Sequence, residues 1–178
     1  MSRPAVVLVV SGSGKWCRSY TAGMDLRLMT KMTLAEFRAL HQRKLVERPK
    51  LFEVLLSDTP ATDQQIEILE KRIGAKLPDD FKGFLKEFGG GYFGLVNIFS
   101  ANEGGEFYLP DRREDSSRLI PKEYIAISDD YSGGWYVLKI NNDTLKDPVW
   151  YWSPDGGLVK TEYANIFEFL ADCAYDPA

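Results

Sequence analysis

The 178-residue chain is poor in the side chains that carry nucleophilic and metal chemistry. It has one histidine, His41, and two cysteines, Cys17 and Cys173. A lone histidine between Leu40 and Gln42, with no cysteine or carboxylate at ligand spacing, excludes the familiar zinc patterns and reads as a surface or packing residue. Two cysteines so far apart in sequence suggest no disulfide framework, so both are read as free thiols. Long apolar runs are also missing. None reaches the roughly 18 residues of a membrane helix, and the six apolar residues Ala5 to Val10 are fewer than the about 7 to 15 of a signal-peptide core. A cytoplasmic protein is the expectation. Ser11-Gly12-Ser13-Gly14-Lys15 invites a phosphate-loop reading but fails on spacing: Val9 stands where the first glycine is needed, and Trp16 follows the lysine in place of Ser or Thr. No spacing of Asp, Asn and Glu matches a calcium loop. No cofactor is expected.

Charge is present, and unevenly. Residues 1–57 hold ten Lys/Arg and four Asp/Glu, a net +6, while residues 58–178 carry −10, giving the overall −4. An acidic 58–178 domain argues against nucleic-acid binding by that domain and favours a basic partner, because complementary charge speeds encounter. Acidity that merely keeps a domain dispersed is the plainer alternative. The division suggests a basic extension over 1–57, with one or two helices, and an α+β domain over 58–178. Before Thr33 no pattern is readable beyond a short strand at Val6 to Val10. Met24, Met29 or Met32 is therefore read as the natural start, which the intact mass of the protein from its native host would check.

Thr33 and Glu36 form a capping box for a helix striped by Leu34, Phe37, Leu40 and Leu45, bounded by Pro49. Leu51, Val54 and Leu55 suggest a further helical turn. The stretch around which the chain is organised is Thr62 to Gly91. Thr62 and Gln65 form a second capping box, and Ile66, Leu69 and Ile73 recur at helical spacing. Gly74 suits a left-handed C-terminal residue. Pro78 fits a first helical turn, and Asp79 and Asp80 suit the positive end of the helix dipole. Phe81, Phe84, Leu85 and Phe88 line one face of the second helix, and Gly89-Gly90-Gly91 ends it.

These residues resemble the start of the SUKH superfamily, the domain of SMI/KNR-type cell-wall assembly regulators and of many bacterial immunity proteins. The positions that carry the resemblance are Thr62, Ile66, Glu70, Gly74, Leu77, Pro78, Asp80, Phe81, Phe84, Leu85, Gly89 and Gly90. The family often has Asn-Gly-Gly at the turn, where this chain has Phe88 before Gly89, and Gly134-Trp135 stands where it commonly shows Gly-Asp. The resemblance runs on more weakly to about Ala174, does not cover residues 1–57, and implies an α+β fold.

The residues themselves point the same way. Tyr92 to Ser100 is rich in aromatic and β-branched residues, and strands are expected at Glu106–Leu109, Tyr124–Ile127, Trp135–Ile140 and Val149–Trp152. Asp111 to Ser117 reads as a polar loop, and turns fall at 129–134 and 154–157. Asn165 can cap a last helix packing through Ile166, Phe167, Phe169, Leu170 and Cys173. Helices, then strands at hairpin spacing, then a helix make α+β with a mostly antiparallel sheet, packed by two N-terminal helices and one C-terminal helix. Trp150 and Trp152 are expected in the core, with Tyr131 and Trp135 nearer the surface. An uncovered aromatic sheet face would suit recognition or a dimer, and oligomeric state is left open.

For chemistry only carboxylates remain. Asp129 and Asp130 are the nearest thing to a pair, but Asp is common in turns because its side chain bonds the local backbone. The reading is a non-enzymatic protein-binding domain. The resemblance implies an immunity protein that neutralises a toxin, often a nuclease. The alternatives are a regulatory or scaffold module of the cell-wall type and, remotely, a carbohydrate-active enzyme. The expected partner is a basic toxin domain or another protein, with no nucleic acid and no membrane. The expected contact residues, chosen from charge and turn position, are Asp111, Glu114, Asp115, Asp129, Asp130, Tyr131 and Trp135.

Overall fold

A computed structural model describes residues 31–53 and 57–175, together with the backbone of 6–10 and 16–20. The glycine-rich stretch 11–15, Met24, Met29, Val54 and Leu55 lie outside the described residues. The two N-terminal strands β1 (Val6–Val10) and β2 (Trp16–Tyr20) pair antiparallel, Val6 opposite Tyr20. Helices α1 (Leu34–Glu47) and α2 (Lys50–Glu53) follow. Next come α3 (Asp63–Ile73) and α4 (Asp79–Phe88). A small hairpin, β3 (Gly91–Phe93) and β4 (Val96–Ile98), leads to α5 (Leu109–Ser116). The chain then runs through β5 (Tyr124–Asp129), β6 (Trp135–Asn141), β7 (Thr144–Ser153) and β8 (Gly157–Lys160), and closes with α6 (Ile166–Cys173). The main sheet has the order β5-β6-β7-β8 with every pair antiparallel. This is the expected α+β fold. Among the described residues no helix is long and apolar enough to cross a membrane.

Local chemistry explains the helical half. In α3 the Thr62 hydroxyl accepts from the Gln65 N–H at 3.2 Å, and Gln65 Oε1 accepts from the Thr62 N–H at 2.9 Å. Gly74 takes the left-handed conformation at φ +67° that ends the helix. Pro78 sits one residue earlier than expected, in extended conformation immediately before α4. The apolar face of α4 buries Phe81, Phe84 and Leu85 completely or nearly so. Phe37 on α1 is fully buried in the same core.

The α3–α4 connection is held by Glu70, a buried carboxylate. Its Oε1 accepts from the Leu77 N–H at 2.9 Å, and its Oε2 accepts from Lys76 Nζ at 2.7 Å; Lys82 Nζ stands 3.2 Å from Oε1. Burial opposes the charge, but these donors outweigh it and hold the carboxyl below its ordinary value of 4.5. Replacing Glu70 with alanine strands a buried N–H, so Glu70→Ala is expected to cost about 3 kcal/mol. The wild-type contribution is complete above about pH 4.5 and is lost as pH falls through the depressed folded value. Urea unfolding at pH 7 and pH 3 checks both parts: the gap between variant and wild type should be large at pH 7 and narrow at pH 3.

Three expectations are corrected. Glu106–Leu109 is not a strand: Tyr108 makes a single bridge to Ser100, and Leu109 already begins α5. Asp111–Ser117 is not a loop, because Pro110 in the first turn and a buried Leu109 start a helix there. Its polarity reflects a helix buried on one side only. Trp150 and Trp152 are half-buried rather than deep in the core. In β7 the fully buried positions are Leu145 and Val149, while Trp150 meets Tyr124 edge-on at 6.0 Å.

Candidate functional site

The turn between β5 and β6 is shaped by its two aspartates. Asp129 Oδ1 accepts from the Tyr131 N–H at 3.0 Å and from Asn97 Nδ2 at 3.0 Å, while the Asp129 N–H donates to Asn97 Oδ1 at 3.1 Å. Asn97, fully buried on β4, thereby locks the small hairpin to the large sheet. Asp130 Oδ1 accepts from the Ser132 and Gly134 N–H groups, each at 2.8 Å, and its Oδ2 accepts from the Tyr151 hydroxyl at 2.7 Å. A side chain at Gly134 would stand 2.1 Å from that hydroxyl, which explains glycine there. Both carboxylates are thus committed to holding the turn. Trp135 is half-buried and packs edge-on against Phe99 at 6.1 Å.

What the turn presents is Tyr131, 59% exposed and held at φ +59°. Its phenol has lost part of its solvent, which raises its pKa. The Asn97 amide works against that rise, and the negative charges of Asp129 and Glu106 add to it, with Tyr92 also a neighbour. Tyr92 is half-buried and meets Phe107 edge-on at 4.8 Å. Arg112 lies over the Phe107 ring at 5.5 Å, and its Nε donates to the Glu106 carbonyl at 3.0 Å. That one guanidinium stands 3.9 Å from the Glu106 carboxylate and 3.8 Å from Asp115.

The expected residues fall on two elements, the β5–β6 turn and α5. The helix α5 packs on β5, its Asp111, Glu114 and Asp115 are exposed, and its Arg112 stands between Asp115 and Glu106. Asp129, Asp130 and Trp135 support the turn, whereas Tyr131 and the α5 carboxylates are presented to solvent. Tyr92 was missed in sequence, since it carries no local signal; pairing across β3–β4 sets it opposite Asn97, whose amide holds Asp129.

A concavity of about 400 Å³ opens between the start of α4 and the β6–β7 turn, lined by Leu77, Pro78, Asp79, Asp80, Thr144 to Asp147 and Lys31. Burial pushes the Asp147 carboxyl up; Lys31, 2.7 Å away, opposes this, and Asp80 and Glu168 add to it. Asp80 Oδ2 accepts from the fully buried Asn165 amide at 2.8 Å. Among the described residues no aromatic lines this cleft.

In a comparison with known families, the model of the SMI1 / KNR4 family (SUKH-1) matches residues 60–172. No curated protein matches the chain. The matched region begins at the α3 capping box, ends within α6, and spans the whole main sheet with the tyrosine-bearing turn; the chain belongs to the SMI1 / KNR4 family (SUKH-1).

Proposed function

We propose that this chain is a non-enzymatic protein-binding domain, and specifically an immunity protein that neutralises a toxin by direct contact with its basic surface. The observation that carries the reading is the acidic, aromatic surface around Tyr131 and α5. Tyr131 in the β5–β6 turn and the carboxylates of Asp111, Glu114 and Asp115 on α5, a helix that packs on β5, are all exposed. Exposed Tyr favours recognition, and net negative charge favours rapid encounter with a basic partner. Nuclease toxins must bind phosphate and so present such basic surfaces. The enzyme reading is weaker: the turn carboxylates are committed to backbone N–H groups, and among the described residues the acidic cleft has no aromatic platform for a sugar.

Capture from cells of the native host at about 50 mM and about 500 mM salt, which brackets the screening of surface charge, separates the readings. A single basic partner retained at low salt supports the immunity role, and its gene should adjoin this one. Several envelope or signalling proteins would instead support the scaffold role, and no partner at any salt would overturn both. Reversing Asp111 and Glu114 to lysine is expected to slow association with the captured partner about tenfold at low ionic strength. An unchanged rate would move the interface elsewhere. These positions are better probes than Asp129 and Asp130, whose reversal would break the turn itself.

A further inference from the structure

His41 is the only histidine of the chain, and the fold encloses it. It is half-buried on α1. Its ring centroid lies 5.0 Å from Phe93 on β3, 5.2 Å from Phe88 on α4 and 5.2 Å from Phe52 on α2, with Phe37 one turn back at 6.4 Å. Its Nδ1 is 3.0 Å from the hydroxyl of Tyr175, a fully buried residue just past α6. Among the described residues that hydroxyl has no second partner. The pairing that satisfies both groups has the Tyr175 O–H donating to Nδ1 of a neutral imidazole, whose own hydrogen sits on Nε2. Protonation reverses this. Nδ1 then donates, the Tyr175 oxygen accepts, and the phenolic hydrogen is left buried without an acceptor. The new positive charge also sits among rings, short of water.

The surrounding charges do not offset that cost. Glu87 on α4 favours the imidazolium, but Arg38 on α1 already grips both its oxygens, at 2.5 and 2.6 Å. Lys44, one turn along α1, is paired with Glu47, and Arg48 donates to the Tyr175 carbonyl at 3.0 Å. From α2 comes the uncharged Phe52, while Lys50 and Glu53 there are exposed; from β3 comes Phe93. Loss of solvent lowers the imidazole pKa from its ordinary 6.5, and Glu87 opposes this only in part. Both His41 and Tyr175 lie outside the family match at 60–172, so the two flanks of the domain meet each other at this contact. We propose that His41 and Tyr175 form an acid-sensitive clasp, which fastens the α1–α2 arm to the family domain while the imidazole is neutral and loosens it on protonation. The clasp is independent of the protein-binding reading above. The undocked arm takes up the proton first, so docking is complete above about pH 6.5 and weakens as pH falls toward the lowered folded value. Glu70 and Glu87, both held below 4.5, titrate under this window.

The test uses the full chain. A single histidine gives one unambiguous imidazole NMR signal, and its titration midpoint in the folded protein is expected below 6.5. Amide hydrogen exchange is then compared at pH 7 and pH 5 as protection factors. Protection across α1 should fall about fivefold at pH 5, while α3 keeps its own. His41→Asn, which places a neutral acceptor near the Nδ1 position, should hold α1 equally at both pH values. Tyr175→Phe removes the hydroxyl that favours the neutral ring, so the His41 midpoint should move up toward 6.5; this readout survives if the asparagine variant does not fold. A wild-type midpoint at or above 6.5 would overturn the clasp. So would α1 protection that is the same at both pH values, or an equal loss in α3. The same fall in His41→Asn, or a midpoint unmoved by Tyr175→Phe, would overturn it too.

Discussion

Replacing Phe37 with alanine is expected to cost about 4 kcal/mol of stability, among the largest effects available to a single substitution here. The residue lies on α1, in the part of the chain that charge alone assigns to a basic extension. It is nevertheless fully buried. Its ring centroid is 5.3 Å from Phe167 on α6, 5.6 Å from Phe88 and 6.3 Å from Phe84 on α4, 5.9 Å from Phe93 and 6.1 Å from Tyr175. Truncation would remove a whole ring from the point where α1, α4, α6 and β3 meet, and rings on every side limit collapse into the space. Phe37→Leu, which keeps apolar volume, should cost about 1 to 2 kcal/mol. Thermal unfolding checks this: a fall of roughly 8 to 16 °C is expected for the alanine variant in a chain of this size. A cost below about 1 kcal/mol would mean that α1 is an attachment and not part of the core.

Gly89→Ala is expected to be at least as damaging, about 4 kcal/mol or more, and for a different reason. A β-carbon there would lie 2.1 Å from the Asp58 carbonyl oxygen and 2.6 Å from that of Thr59. Both obstacles are backbone and neither can swing away. The site also sits at φ +87°, the first of three consecutive glycines with positive φ. Gly74 provides the control. It too has positive φ, at +67°, but a β-carbon there meets nothing within 4 Å. Gly74→Ala should therefore cost only about 1 kcal/mol, the left-handed penalty alone. Comparing urea midpoints of the two variants separates conformational strain from steric exclusion, and similar costs would refute the distinction.

The contrast between these glycines mirrors what was legible in sequence. Both were recognisable as helix ends, because a left-handed cap is a local requirement. That the Gly89–Gly91 turn must also pass against the backbone of 58–59 is a long-range fact with no sequence signature. Capping boxes at Thr33 and Thr62, the Asn165 cap and the apolar stripe of α4 were readable for the same local reason. The hairpin β6–β7 was readable too, although β7 runs from Thr144 to Ser153, longer than its aromatic centre. The polar segment 111–117 misled because a helix with only Leu109 and Ser116 buried presents almost no apolar periodicity. Strand β8 was passed over because only pairing with β7 defines it.

The candidate site divides along the same line. Charge asymmetry, the turn at 129–134 and an exposed Tyr131 follow from composition and spacing, since Asp and Gly dictate turns through their own backbone chemistry. Tertiary structure decided the rest. It assigned Asp129 and Asp130 to holding the turn, drew Trp135 onto Phe99, and paired Tyr92 with Asn97 across β3–β4. By itself, the sequence determined the capped helices, the strands β5 and β6, the acidic character of the domain and its family. Which carboxylates are free to meet a partner was decided only by folding, because a side chain's availability depends on the donors that distant strands bring to it.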